Sequence, residues 1–149
     1  MTDTEKTFCG GCMCGAVRYE AAGEPVSVIY CHCESCRRHT GAPVSALAGF
    51  SRDNVRFTKG ERKLYASSEG VGRGFCADCG TTLTWEGDGE ELGPLVEIHM
   101  GTLDDPGALT PSCHVRHDER ISWFDTAGKL PRYREWEVEE GPYRSDPAG

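Results

Sequence analysis

Seven of the nine cysteines fall into three tight clusters, and nothing else in the sequence limits the fold as strongly. The clusters are Cys12-Met13-Cys14, Cys31-His32-Cys33-Glu34-Ser35-Cys36 and Cys76-Ala77-Asp78-Cys79. Two cysteines one residue apart on an extended segment point to the same face, and a Cys-x-x-Cys turn brings its pair together in the same way. Tetrahedral zinc, with Zn–S near 2.3 Å, wants its sulfurs about 3.8 Å apart, so such pairs suit it. Gly80 directly after Cys79, and Gly10, Gly11 and Gly15 around the first cluster, supply the backbone freedom that metal-binding turns use.

Disulfides would be the other way to use these thiols. The N-terminus, Met1-Thr2-Asp3-Thr4-Glu5-Lys6-Thr7-Phe8, has neither the basic nor the apolar region of a secretory signal. No stretch approaches the roughly 20 apolar residues that cross a bilayer, so no membrane partner is expected. The expected location is the cytoplasm, whose reducing conditions keep thiols free for metal or catalysis. An odd cysteine count also fits a disulfide framework poorly.

The ligand count then divides the clusters. Cys12, Cys14, Cys76 and Cys79 make a complete four-thiolate site, the closed form typical of structural zinc. Cys31, Cys33 and Cys36 give three thiolates from one short segment, leaving a corner for water or substrate as catalytic zinc does. Spacing alone leaves a second structural site equally open, because His39, Cys9 or Cys113 could complete it. A zinc ribbon from Cys33/Cys36 and Cys76/Cys79 would strand Cys12, Cys14 and Cys31, and neither usual ferredoxin spacing is present. His32 alternates out of phase with Cys31 and Cys33, so its ring is expected to point away from their metal. His39, His99, His114 and His117 have no fixed spacing to any acid or nucleophile and read as surface or core residues.

A staple is needed because 149 residues with 38% hydrophobic content and 19 glycines make a loop-rich domain. Short strands are expected at Ala16–Glu20, Val26–Tyr30, Val44–Phe50, Val55–Phe57, Lys63–Ser67, Thr81–Trp85 and Leu95–Gly101, giving an all-β fold of short antiparallel strands. Glu34–Thr40 reads as a turn or two of helix. Gly23–Pro25, Glu86–Gly89 and Leu103–Gly107 read as loops. Trp85, Trp123 and Trp136 read as core or edge aromatics. One domain over 1–136 and an acidic tail over 137–149 are expected. The net charge of −8 argues against a nucleic-acid partner, which would favour a basic face.

Taken in order, Gly11-Cys12-Met13-Cys14-Gly15-Ala16-Val17-Arg18-Tyr19, Cys31 to Arg38, and Phe75-Cys76-Ala77-Asp78-Cys79-Gly80 resemble the glutathione-dependent formaldehyde-activating enzyme family, whose domain is shared with centromere protein V. The likeness continues through Met100–Pro106 and Ile121-Ser122-Trp123. It implies a zinc-stapled β-tent fold with two zinc ions per chain: a structural one on Cys12, Cys14, Cys76 and Cys79, and a catalytic one on Cys31, Cys33 and Cys36. It further implies a carbon–sulfur lyase that joins glutathione, as co-substrate, to formaldehyde or another small aldehyde. A non-catalytic zinc module for protein docking or metal handling is the alternative. Arg37 and Arg38, beside the open cluster, are candidates to attract glutathione's carboxylates and to offset the thiolate charge, although at least one of them is expected to be a solvated surface arginine.

Overall fold

The computed structural model describes residues 6–124. Among them, ten strands and one helix run in the order β1 (Thr7–Gly11), β2 (Arg18–Ala22), β3 (Ser27–Cys31), α1 (Glu34–Thr40), β4 (Ser45–Ser51), β5 (Val55–Lys59), β6 (Lys63–Ser68), β7 (Val71–Phe75), β8 (Thr82–Asp88), β9 (Pro94–His99) and β10 (Cys113–Val115). They form two sheets, one of order β1-β2-β5 and one of order β10-β3-β4-β9-β8-β7-β6. Pairing is antiparallel throughout except between β10 and β3, which run parallel. The expected all-β, antiparallel fold is therefore the observed one. The expected 137–149 tail and Trp136 lie outside the described residues.

The main core lies between the sheets. Tyr19 and Ala21 of β2 meet Ala48 and Phe50 of β4, Leu83 of β8 and Val96 and Ile98 of β9, all with little or no exposure. Alternation along each strand leaves the other face of the large sheet for different work. There Leu47 and Ile29 pack with Cys31, Cys33, Cys36 and Val115 in a second, smaller cluster under α1.

A largely buried ion pair on the large sheet reaches the small one through Arg62. Arg62 donates to both oxygens of Glu86, at 2.8 and 2.7 Å, and the Thr84 hydroxyl donates to the same carboxylate at 2.7 Å. The Arg62 guanidinium also lies 4.3 Å from the ring centre of Phe57, on the small sheet.

Five expectations need correcting, the first being that no strand was expected at β10, a three-residue segment paired in parallel with β3. Strands β1 and β7 were hidden by glycines, which weaken strand propensity, and both glycine pairs answer to packing. A Cβ at Gly10 would collide with the Tyr19 hydroxyl and the Thr102 carbonyl, and one at Gly74 with the Thr84 hydroxyl and Arg62. The stretch expected to loop from Glu86 instead continues β8 to Asp88, with Gly87 making room for the Trp85 ring. The strand expected to reach Gly101 ends at His99 and gives way to a 3-10 turn over Met100–Thr102. The helix stands as expected, Glu34–Thr40, stopped by Gly41 in the left-handed region at φ 69°.

Candidate metal centre and active site

Two hairpin turns, one from each sheet, face each other to form the first cluster. In the first, Cys12 N–H donates to Val17 O at 3.0 Å and Val17 N–H donates to Cys12 Sγ at 3.2 Å. In the second, Cys76 N–H donates to Thr81 O at 2.9 Å and Gly80, at φ 80°, turns the chain back with its N–H on Cys76 O. Met13 N–H donates to the Thr81 hydroxyl at 3.0 Å and locks one turn to the other. The four sulfurs of Cys12, Cys14, Cys76 and Cys79 lie within 4.8 Å of one another, with Cys12–Cys14 at 3.6 Å and Cys14–Cys76 at 3.9 Å. Those separations bracket the roughly 3.8 Å of a tetrahedral four-thiolate site, so the residues fit a metal ion held by all four sulfurs.

The crowding shows in the electrostatics. Hydrogen bonds from the Thr81 hydroxyl and amide bring the Cys79 thiol down to about 6. The Ala16 amide favours a Cys14 thiolate, but the adjoining Cys12 sulfur and its neighbours outweigh it and push Cys14 up to about 12. Four thiols this close cannot all ionise without a cation between them.

The second cluster sits on the outer face of the large sheet. Cys31 ends β3, Cys33 caps α1 with its sulfur accepting from Cys36 N–H at 3.3 Å, and Cys36 lies on the buried side of the helix. Their three sulfurs lie within 4.8 Å of one another, and among the described residues no fourth Cys, His, Asp or Glu joins them. His39 turns instead toward His99, ring centres 5.8 Å apart. Cys9 lies on β1 and Cys113 on β10, outside both clusters.

A cavity of about 570 Å³ opens over the three cysteines. Its floor is one cross-strand row of the sheet, in which Arg73, Trp85 and Glu97 are successive partners on β7, β8 and β9. Arg73 is 7% exposed, donates to Ser67 Oγ at 3.1 Å, and places Nη1 3.7 Å from Cys36 Sγ. Hydrogen bonding from Cys31 above all, then Arg73, pulls the Cys36 thiol down to about 5, while Cys31 is driven well above the thiol range. Burial, with the Cys36 charge behind it, pushes the Glu97 carboxyl up to about 7. Arg116 and Glu119 stand at the cavity's C-terminal side.

The structure thus brings the seven cysteines together in the two expected groups, and makes Arg38 the surface arginine that at least one of the pair was expected to be. Arg38 pairs with Glu34 on the surface at 3.0 Å, and Arg37 reaches the His32 carbonyl at 3.4 Å; neither lines the cavity. The cation beside the thiolates is Arg73. Its one available signal was a single charge inside Val71-Gly72-Arg73-Gly74-Phe75, just before Cys76. Glu97 stood in an alternating strand with no mark of a role.

Fold and site together define a two-sheet β protein with two thiol clusters able to hold metal, one of four sulfurs and one of three sulfurs facing a cavity. The chain belongs to the glutathione-dependent formaldehyde-activating enzyme family, whose sequence profile matches residues 7–119. An uncharacterized lyase of Schizosaccharomyces pombe is 38% identical over 74 residues, covering 50% of this chain and 53% of that protein. The chain thus matches about half the length of that relative. A crystal structure of a Rhodobacter sphaeroides protein shares the fold, with a TM-score of 0.56 at 22% identity, covering 72% of this chain and 99% of that one. Among the described residues no helix is long and apolar enough to cross a membrane.

Proposed function

We infer that the protein is a zinc-dependent carbon–sulfur lyase acting, in its condensing direction, on glutathione or a similar thiol and on formaldehyde or another small aldehyde. The observation that carries this reading is the three-cysteine cluster opening onto a cavity that also holds Arg73 and Glu97. Structural zinc at Cys12, Cys14, Cys76 and Cys79 would hold the two hairpins together. Zinc at Cys31, Cys33 and Cys36 would supply a Lewis-acidic open side that lowers the pKa of a thiol brought to it.

The chain's own groups supply the rest. Arg73 offsets the negative charge of three thiolates. Glu97, poised near neutrality, takes the thiol proton as sulfur attacks the carbonyl carbon; a C–S bond forms, the carbonyl π pair moves to oxygen, and Glu97 returns the proton there. The overall reaction adds S–H across C=O, with no redox change. Arg116 and Glu119, of opposite charge, suit the carboxylate and ammonium ends of glutathione.

Exchange spectroscopy by NMR on glutathione with formaldehyde tests this, since it measures the rate of interconversion with S-hydroxymethylglutathione at equilibrium. The zinc-loaded protein should accelerate that exchange, and Cys33→Ser should abolish the acceleration. A protein holding two zinc ions that leaves the exchange rate unchanged with glutathione would instead be a non-catalytic zinc module.

A further inference from the structure

We propose that His32, His114 and His117 form a third metal site, an all-imidazole site for a divalent ion of the zinc class, which fastens the C-terminal side of the cavity to the Cys31–Cys33 segment. Each ring offers one nitrogen, and the three nitrogens lie within 4.8 Å of one another. His32 Nε2 and His114 Nδ1 are already 2.8 Å apart. Zn–N bonds near 2.0 Å put tetrahedral ligand nitrogens about 3.3 Å apart, so those two rings need to part by roughly half an ångström. His114 and His117 are exposed and have the freedom to do so.

The three rings pack against one another, His32 and His114 through their nitrogens. Centroid separations are 5.0 Å for His32–His114, 5.2 Å for His32–His117 and 5.4 Å for His114–His117. Apolar packing alone has no reason to gather three sets of ring nitrogens at one point, whereas an ion gives each a lone-pair partner. The backbone also converges on this arrangement. His114 stacks on Tyr30, rings 5.0 Å apart and 27° from parallel, which sets its plane. Arg116 takes the left-handed conformation, φ 53° and ψ 37°, which is strained for a residue with a Cβ, and this reversal returns the chain so that His117 meets His32. His32 is 2% exposed and is held by its N–H on Val115 O at 3.1 Å.

The segment that would gain from a clip is a weak one. β10 is three residues long, parallel, at the edge of the sheet and largely exposed. It leads directly into Arg116 and Glu119, and Glu119 accepts from the Glu34 N–H at 3.1 Å. A bound ion would hold both residues in place over the thiol cluster. The site uses no cysteine and stands independently of the lyase reading.

Zinc titration of the reduced, purified protein to saturation, compared with His114→Gln and His117→Gln, tests the proposal. Both positions are exposed, so the variants should fold. Wild type should bind one equivalent more than either variant. When cobalt fills that equivalent, its spectrum should lack the sulfur-to-cobalt charge-transfer band that thiolate sites give. Hydrogen exchange should slow over 113–119 as it fills. Equal stoichiometry in wild type and variants, a charge-transfer band on the extra equivalent, or unchanged exchange over 113–119 would each overturn it.

Discussion

Replacing Arg73 by Met should weaken metal at the open cluster while sparing the closed one. Three thiolates around a divalent ion carry a net charge of about −1, spread over the sulfurs. With an effective dielectric near 20, a full unit charge at the Cys36 sulfur, 3.7 Å from Arg73 Nη1, would interact by about 4.5 kcal/mol. A third of the charge there contributes about 1.5 kcal/mol. Because the other two sulfurs lie within 4.8 Å of the first, they add at least about 1.3 kcal/mol between them. The loss is therefore about 3 kcal/mol, or on the order of 100-fold in affinity, below about pH 5, where the metal-free Cys36 thiol is protonated. At neutral pH the Cys36 thiolate already interacts with Arg73 before metal binds, and the loss is smaller. Competition with a chromophoric chelator, resolving the two sites by variant, measures it. Arg73→Lys should retain part of the affinity. If Arg73→Met weakened both clusters alike, or neither, the charge would not be the cause and the argument from the 3.7 Å contact would fail.

Three further outcomes follow from the same geometry. Glu97→Gln should lower the thiol–aldehyde exchange rate by about 100-fold and remove the rise in rate with pH that a base titrating near 7 gives wild type; an unchanged pH profile would take Glu97 out of the reaction. Glu86→Gln should cost about 2 kcal/mol in urea unfolding, since the carboxylate accepts three hydrogen bonds, two of them from Arg62. Burial works against the Glu86 charge, but Arg62 and Thr84 outweigh it and hold its pKa below the carboxylate norm. Its contribution is therefore present above about pH 4.5 and lost as pH falls through the lower folded value, and wild type should lose its margin over the variant in that window. Cys76→Ser should mainly unfold the protein, whereas Cys36→Ser should keep the fold and lose catalysis; equal unfolding by both would make both clusters structural.

What the sequence revealed about the site divides along contact range. Cys12 with Cys14, Cys31 with Cys33 and Cys36, and Cys76 with Cys79 are neighbours in the chain, so their spacing alone marked them as candidate metal ligands. The helix over Glu34–Thr40 was legible for the same reason, with Gly41 marking its end. Arg73 and Glu97 meet the thiols only through strand order, because β7, β8 and β9 must lie side by side in register before those side chains share a face. The histidines at 32, 114 and 117 join through the parallel pairing of β10 with β3, which no local pattern announces. The hidden strands show the complementary effect: glycine lowers local propensity, yet at Gly10 and Gly74 close packing leaves no space for a Cβ.

The two cysteine clusters share a ligand type, and their positions in the chain divide their work. Cys12, Cys14, Cys76 and Cys79 join hairpins of different sheets, so a metal there closes a loop running from Cys12 to Cys79. Cys31, Cys33 and Cys36 span a single short segment, already shaped by the N-terminus of α1. Loop-closure entropy grows with the logarithm of loop length, which makes the constraint on the unfolded chain about 2 kcal/mol larger for the first cluster. Metal at the second cluster would add less to folding for that reason, and under the proposed function its fourth position would be left to a substrate in the cavity above it. Under the proposed function, the long-range cluster would serve stability and the local one chemistry. A chelator mild enough to strip only the second site should abolish exchange catalysis and shift the urea midpoint little.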